Sequence, residues 1–154
     1  VLVEGTYTLP GRREAVWPIL LDPAAIARTM PGAKGMVRTA PDRYAGKMRV
    51  GVGMLLAAEF DLSITLVDVV EPERYTMVVD GRGRLGTTRG RATVRLGADG
   101  EGGSRTRMLF RADLEVGGAI TVVGQRLLDS VARRLTRQGL EALAREVGER
   151  LGRG

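Results

Sequence analysis

The spacing of apolar and polar positions divides the chain into a strand, a helical stretch, a series of alternating segments and one long amphipathic helix. Residues 1–9 alternate, with Thr and Tyr at strand-favouring positions, and predict a first strand that stops at Pro10-Gly11. The period then lengthens. Over 12–21, Ala15, Val16, Ile19 and Leu20 recur at helical spacing with Trp17 beside them, and Pro18 is expected to kink or shorten that helix. Asp22-Pro23 restarts the chain as an N-cap followed by proline at the first helical position, giving a short helix to about Thr29 that Met30-Pro31-Gly32 ends.

From Arg43 the period is two. Tyr44, Met48, Val50, Val52 and Met54 share one face, opposite Arg43, Lys47 and Arg49. Ala58, Phe60, Leu62, Ile64 and Leu66 continue the pattern on a second strand, with Glu59, Asp61, Ser63 and Thr65 turned away. After the turn at Glu71-Pro72-Glu73, a third strand carries Tyr75, Met77 and Val79 inward. Two more are predicted over 87–96 and 104–116, joined by a glycine-rich turn, so that the strands form an antiparallel meander. A turn centred near Gly100 sets Val94 opposite Thr106, Ala92 opposite Met108 and Gly90 opposite Phe110. On the outer face it sets Arg95 against Arg105 and Arg89 against Arg111, an arrangement that repels itself. From Gly117-Gly118 to about Leu151 the 3.6 period returns, with Ile120, Val123, Leu127, Val131 and Leu135 on one stripe, and predicts one helix long enough to lie along the whole sheet. No repeat or linker divides residues 1–154, which read as a single α+β domain.

Composition narrows the chemistry. The chain has no Cys and no His, so it lacks sulfur-based zinc sites and the one side chain that titrates near neutral pH without help. Acid–base catalysis would need a shifted Asp, Glu, Lys or Tyr. No catalytic residue and no metal ligand is assigned. The formal net charge is +6, carried almost wholly by Arg, since Lys34 and Lys47 are the only lysines. Arg89, Arg91, Arg95, Arg105, Arg107 and Arg111 would form a basic outer stripe, suited to anionic lipid headgroups or an acidic protein partner, or else simply a solvated face. Nucleic acid is the weakest candidate, because no aromatic residues interleave with these arginines to stack bases. Gly81-Arg82-Gly83-Arg84-Leu85-Gly86 fits G-x-G-x-x-G, but a strand follows where a dinucleotide fingerprint needs a helix N-terminus. The pairs Glu59/Asp61 and Asp113/Glu115 share outer positions and read as solvation or as partners of nearby arginines. No apolar run approaches the ~20 residues that cross a bilayer, and no signal-peptide pattern opens the chain, so a cytoplasmic location is expected.

The apolar faces of the sheet and the long helix enclose volume that must be filled. Phe and Trp together supply only three side chains, while glycines lie in or beside several strands and permit strong bending. Either a cavity remains or Met30, Met48, Met54, Met77 and Met108 plug the space.

These residues resemble the CoxG family, named for the G component of carbon monoxide dehydrogenase, within the START-like (SRPBCC) superfamily of helix-grip proteins. The resemblance rests on Leu9-Pro10 leading to Glu14-Ala15-Val16-Trp17, on Leu21-Asp22-Pro23 and Met30-Pro31-Gly32, on the strand pair 48–60, on the glycine cluster 81–86, and on Val116-Gly117-Gly118 opening the last helix. Pro18 departs from it, as does an ending soon after the long helix where many relatives carry an apolar or low-complexity tail, which weakens the expectation of a stable membrane anchor. The resemblance implies a β-α-α-β-β-β-β-β-α order, in which a bent antiparallel sheet wraps a long C-terminal helix around a hydrophobic tunnel. It also implies a role beside molybdenum hydroxylases of the carbon monoxide dehydrogenase type, in membrane recruitment or in binding quinone or lipid, with peripheral attachment at the inner face of the membrane. The cavity is expected to be lined by Trp17, Met30, Met48, Val50, Val52, Phe60, Leu62, Tyr75, Met77, Ala92, Met108, Phe110, Ile120, Val123, Leu127 and Val131, with no cofactor beyond a bound quinone or lipid. The alternatives are an adaptor working through the arginine face without a ligand, and a cyclase-like enzyme, which would need Tyr75, Thr88, Thr106 or a carboxylate to converge inside the pocket.

Overall fold

A computed structural model of the protein describes residues 1–54 and 56–152. The strands are β1 (Leu2–Leu9), β2 (Ala33–Ala40), β3 (Arg43–Val52), β4 (Leu56–Val70), β5 (Arg74–Gly83), β6 (Gly86–Asp99) and β7 (Arg105–Gly117). The helices are α1 (Arg13–Leu21), α2 (Pro23–Thr29) and α3 (Gln125–Gly152), with a 3-10 turn over Ala119–Val123 before α3. All seven strands form one antiparallel sheet in the order β1-β7-β6-β5-β4-β3-β2. This is the helix-grip architecture with one strand, β2, beyond the expected order. β2 escapes the period-two test because it is an edge strand on which only Met36 is buried, and its pairing with β3 slips twice.

The inner and outer faces fall as the alternation requires. Ala58, Phe60, Leu62, Ile64 and Leu66 of β4 are buried, while Glu59 and Asp61 are exposed. Met54 is the exception: it lies past the end of β3 and is fully exposed. Glycines allow the sheet to bend where strands crowd. A Cβ at Gly83, Gly86 or Gly90 would run into the carbonyl oxygens of Glu59, Gly117 and Asp113 respectively.

The β6–β7 register differs from expectation. Val94 faces Phe110, Ala92 faces Ala112, Gly90 faces Leu114 and Ala98 faces Thr106. Gly100, Gly102 and Gly103 all adopt positive φ, so the hairpin turns about Gly102 rather than Gly100. The change in register is even, so every side chain keeps its face while every partner changes. The charges then alternate: Arg91 faces Asp113, Arg89 faces Glu115 and Asp99 faces Arg105. The predicted stacking of Arg95 on Arg105 and of Arg89 on Arg111 does not occur.

Both helical segments also differ in detail from the pattern. α1 continues through the exposed Pro18 to Leu21, anchored by buried Val16, Trp17, Ile19 and Leu20 on either side of it. In a helix this short, proline forfeits one interior hydrogen bond, which the burial of its neighbours offsets. α2 begins as expected, the Asp22 carboxylate accepting from the Ala24 N–H at 3.1 Å. The long helix starts later, because Gly118 (φ 91) and Gly124 (φ 93) interrupt the chain. Ile120 and Val123 therefore sit in the 3-10 turn, and the 28 residues of α3 span about 42 Å.

The C-terminal half of α3 is seated on the α1–α2 corner. Gly148 meets Pro10, Gly139 meets Pro31, and the Leu151 side chain occupies the place a Cβ on Gly11 would take. Around this seat runs a chain of ions. Arg150 donates to the Asp22 carboxylate at 2.6 Å and lies 4.0 Å from Glu146, which accepts two bonds from Arg28 at 3.1 and 2.5 Å.

Candidate functional site under the long helix

The sustained backbone approaches that α3 makes to the sheet are to β1 and β3. Between these in the sheet lie β7, β6, β5 and β4, so the helix bridges four strands like the lintel of an arch. The bridge is fixed at its far foot by the Arg134 guanidinium, which donates to the Gly51 carbonyl at 3.0 Å, and by Leu127 beside Gly53.

Side chains that point inward beneath a closed core would be buried. Here Met77 and Val79 of β5, and Phe110, Leu114 and Val116 of β7, point to the concave side and are only half-buried. Met48 of β3, Val123 and Leu127 opposite them are likewise half-buried. Val50, Val52, Phe60, Leu62, Ala92, Met108, Ile120 and Val131 complete the walls and are buried, and Met30 sits half-buried between α2 and β2. The residues expected to line a cavity thus sit in or against the apolar core, whereas Met54, expected on the same face of its strand, stands in solvent. Val79, Leu85, Leu114 and Val116 line the interior as well, and the strand alternation already placed Val79 on the inward face.

The two ends of the arch differ. At the α1 end, Trp17 and Tyr75 meet edge to face, with ring centroids 5.4 Å apart and planes at 85°. Beside them Tyr44 donates to the Leu21 carbonyl at 2.5 Å and accepts from Arg38 at 2.6 Å, so its hydroxyl is fully used. Burial pushes the Tyr75 phenol well above its ordinary pKa, with Tyr44 adding to the shift, so it stays protonated. At the opposite end, the β3–β4 and β5–β6 turns and the 3-10 turn come together: the Ile120 N–H donates to the Leu85 carbonyl at 2.6 Å. Met54 and Val122 stand out there, 100% and 87% exposed; Arg82 and Arg84 at the β5–β6 turn and Arg126 in the first turn of α3 are exposed as well.

The polar groups that a cavity enzyme would use do not converge. Thr88 faces Gly81 near the β5–β6 turn, about 20 Å along the strands from Tyr75. The Thr106 hydroxyl is committed to the Gly11 carbonyl at 2.7 Å. The acidic pairs lie outside, where Lys47 approaches Asp61 at 3.6 Å and Glu59 at 4.0 Å. In Gly81–Gly86 the glycines shape a two-residue hairpin turn that leads straight into β6.

Arg89, Arg91, Arg95, Arg105, Arg107 and Arg111 all project from the convex face. Several meet carboxylates: Arg89 lies 3.7 Å from Asp80, Arg107 4.0 Å from Asp99 and Arg111 3.5 Å from Glu4. Arg95 faces Arg74 across the β5–β6 ladder, and among the described residues neither forms an ion pair with a carboxylate. Two open grooves of about 500 and 580 Å³ share Thr93 and Arg95. One continues to Leu109 and Arg111, the other to Val69, Val70 and Arg74. Glu4 lines the first and Asp68 the second, so each groove carries both signs of charge.

The fold recurs in solved structures. A conserved protein from Geobacillus kaustophilus superposes with a TM-score of 0.86 at 25% identity, over 97% of this chain and 96% of that one. The Zhui aromatase/cyclase from Streptomyces sp. R1128 superposes at 0.71 with 17% identity, over 98% and 95%. A START superfamily protein from Mycobacterium smegmatis does so at 0.71 with 16% identity, over 96% and 97%. No curated protein matches the sequence. The family model for CoxG, the G component of carbon monoxide dehydrogenase, matches residues 5–148, so this arch of seven strands under one long helix belongs to a member of the CoxG family.

Proposed function

We propose that the chain binds an apolar molecule beneath α3 and acts as an accessory protein to a molybdenum hydroxylase of the carbon monoxide dehydrogenase type, carrying a quinone or lipid. The observation that supports this most is the incomplete burial of Met77, Val79, Phe110, Leu114 and Val116, all directed at the concave side of the sheet. An apolar guest would remove that surface from water, at roughly 25 cal/mol per Å². Organic extraction of natively purified protein, followed by mass spectrometry, tests the reading. A stoichiometric quinone or lipid is the expected result; a protein that yields none and takes up none after delipidation would refute it.

The guest's source is a membrane, and the turn end of the arch fits that task. Met54 and Val122 would reach into the headgroup region beside Arg82, Arg84 and Arg126, giving peripheral attachment at the inner face of an anionic bilayer. Among the described residues no helix is long and apolar enough to cross a membrane. Flotation with vesicles containing phosphatidylglycerol should carry the protein, and Met54→Glu with Val122→Glu should leave it behind.

A separate observation favours docking onto the partner enzyme through the convex face. Arg74 and Arg95, side by side and in no ion pair among the described residues, would gain from an acidic surface. Binding through them should weaken with salt and with Arg74→Glu or Arg95→Glu.

A further inference from the structure

We propose that the buried Trp17–Tyr75 pair at the α1 end of the arch is a hydrogen-bond-donating subsite that selects a neutral apolar guest carrying an acceptor, such as a carbonyl, over a carboxylate of similar length. The inference rests on the ligand-binding reading above and adds to it the chemistry of the guest's leading end.

Tyr75 and Trp17 are 5% and 4% exposed, yet among the described residues neither the Tyr75 hydroxyl nor the Trp17 indole N–H has a hydrogen-bond partner. At the same time, no fully enclosed side-chain polar atom among those residues is left without a partner. Both donors must therefore touch space that a water-sized group can reach, although the rings that carry them are buried. Buried tyrosine and tryptophan ordinarily satisfy these groups. Tyr44, close by, does so twice over.

The position within the arch matters equally. Tyr75 opens the inward row of β5, which continues through Met77, Val79 and Gly81 to the turn end. The row runs about 20 Å from Tyr75 to Gly81, so a guest that enters at the turns with its tail outward meets the aromatic pair with its head.

The available chemistry is that of a donor. The raised phenol pKa keeps Tyr75 neutral and protonated, and an indole N–H can only donate. Arg38, which lies over the Tyr44 ring, is committed to the Tyr44 hydroxyl and the Leu21 carbonyl, and Arg13, one turn before Trp17 on α1, donates to the Leu96 carbonyl at 3.4 Å. A carboxylate would lose its hydration without a counter-charge, whereas a carbonyl would satisfy donors that otherwise lack a protein partner.

The test uses delipidated protein and three probes, decylubiquinone, decylbenzene and dodecanoate, with binding measured at pH 7.5 by equilibrium dialysis and mass spectrometry. The wild type should bind decylubiquinone about five- to tenfold more tightly than decylbenzene, the difference expected from one or two neutral hydrogen bonds, and dodecanoate most weakly. Tyr75→Phe should weaken decylubiquinone by about fivefold and leave decylbenzene unchanged, and Trp17→Phe should act in the same direction. Melting curves report whether each variant folds, and the decylbenzene affinity supplies an internal control. Equal affinity for the quinone and the hydrocarbon, dodecanoate binding as tightly as the quinone, or a quinone affinity indifferent to both variants would overturn the subsite while leaving the ligand-binding reading intact. Uptake of none of the probes by the wild type would remove both.

Discussion

Val79→Phe separates an open arch from a solid core by the sign of its effect. Val79 points inward from β5, half-buried, between Ile64 on β4 and Gly90 on β6. The place over Gly90 is taken by the Asp113 carbonyl and the Leu114 side chain, so in an open interior the added ring extends away from the sheet into the space under α3. Covering about 40 Å² of apolar surface at roughly 25 cal/mol per Å² would contribute up to about 1 kcal/mol. In a solid core the same ring has no room, and overpacking costs about 1–3 kcal/mol. For a domain of this size each kcal/mol moves the melting temperature by about 2–4 °C. The open arch therefore predicts a shift between zero and about +4 °C in ligand-free protein, together with reduced uptake of decylubiquinone, because the ring occupies the guest's place. The reading is refuted by a fall of several degrees with uptake unchanged.

Two further predictions concern the seat of α3. Glu146→Ala removes the acceptor of two Arg28 bonds and should cost about 2 kcal/mol in urea unfolding. Glu146→Gln, which keeps the shape, should cost less. Asp22 adds a pH dependence. The Arg150 hydrogen bond holds its carboxyl below the ordinary range, with desolvation opposing and the Ala24 N–H assisting. A depressed folded pKa gives stability that is fully present above the unfolded value near 4 and disappears as pH falls through the folded value. The stability gap between wild type and Asp22→Asn should therefore be full at pH 6 and shrink steadily below pH 4. A gap that widens on acidification would contradict the assignment.

The faces of the strands were legible in the sequence because alternation depends only on each strand's own residues. Phe60, Tyr75, Met77 and Met108 needed no knowledge of a neighbour to be placed inside. Pairing was not legible to the same degree. Where a hairpin turns depends on which of Gly100, Gly102 and Gly103 take positive φ, and that decided whether the outer arginines of β6 and β7 faced each other or faced carboxylates. The start of α3 was hidden for a related reason: Ile120 and Val123 fit the helical stripe, but Gly124 leaves the helical region between them and Leu127. The ion chain at the α3 seat could not be read at all. Arg28 and Glu146 stand 118 positions apart, Asp22 and Arg150 128 apart, and nothing local distinguishes them from solvated charges. Of the candidate site, what was legible is which strand residues face the concave side. The half-burial that sets Val79, Leu114 and Val116 apart depends on how far α3 stands from the central strands, a distance no periodicity encodes.

The central claim is that a guest occupies the space between α3 and the middle of the sheet, and Trp17, the single tryptophan of the chain, reports on it from inside. Decylubiquinone titrated into delipidated protein should quench Trp17 fluorescence along a saturable curve that ends at one equivalent. Quenching that rises linearly without saturation, no steeper than that of free N-acetyltryptophanamide, would show that no guest enters.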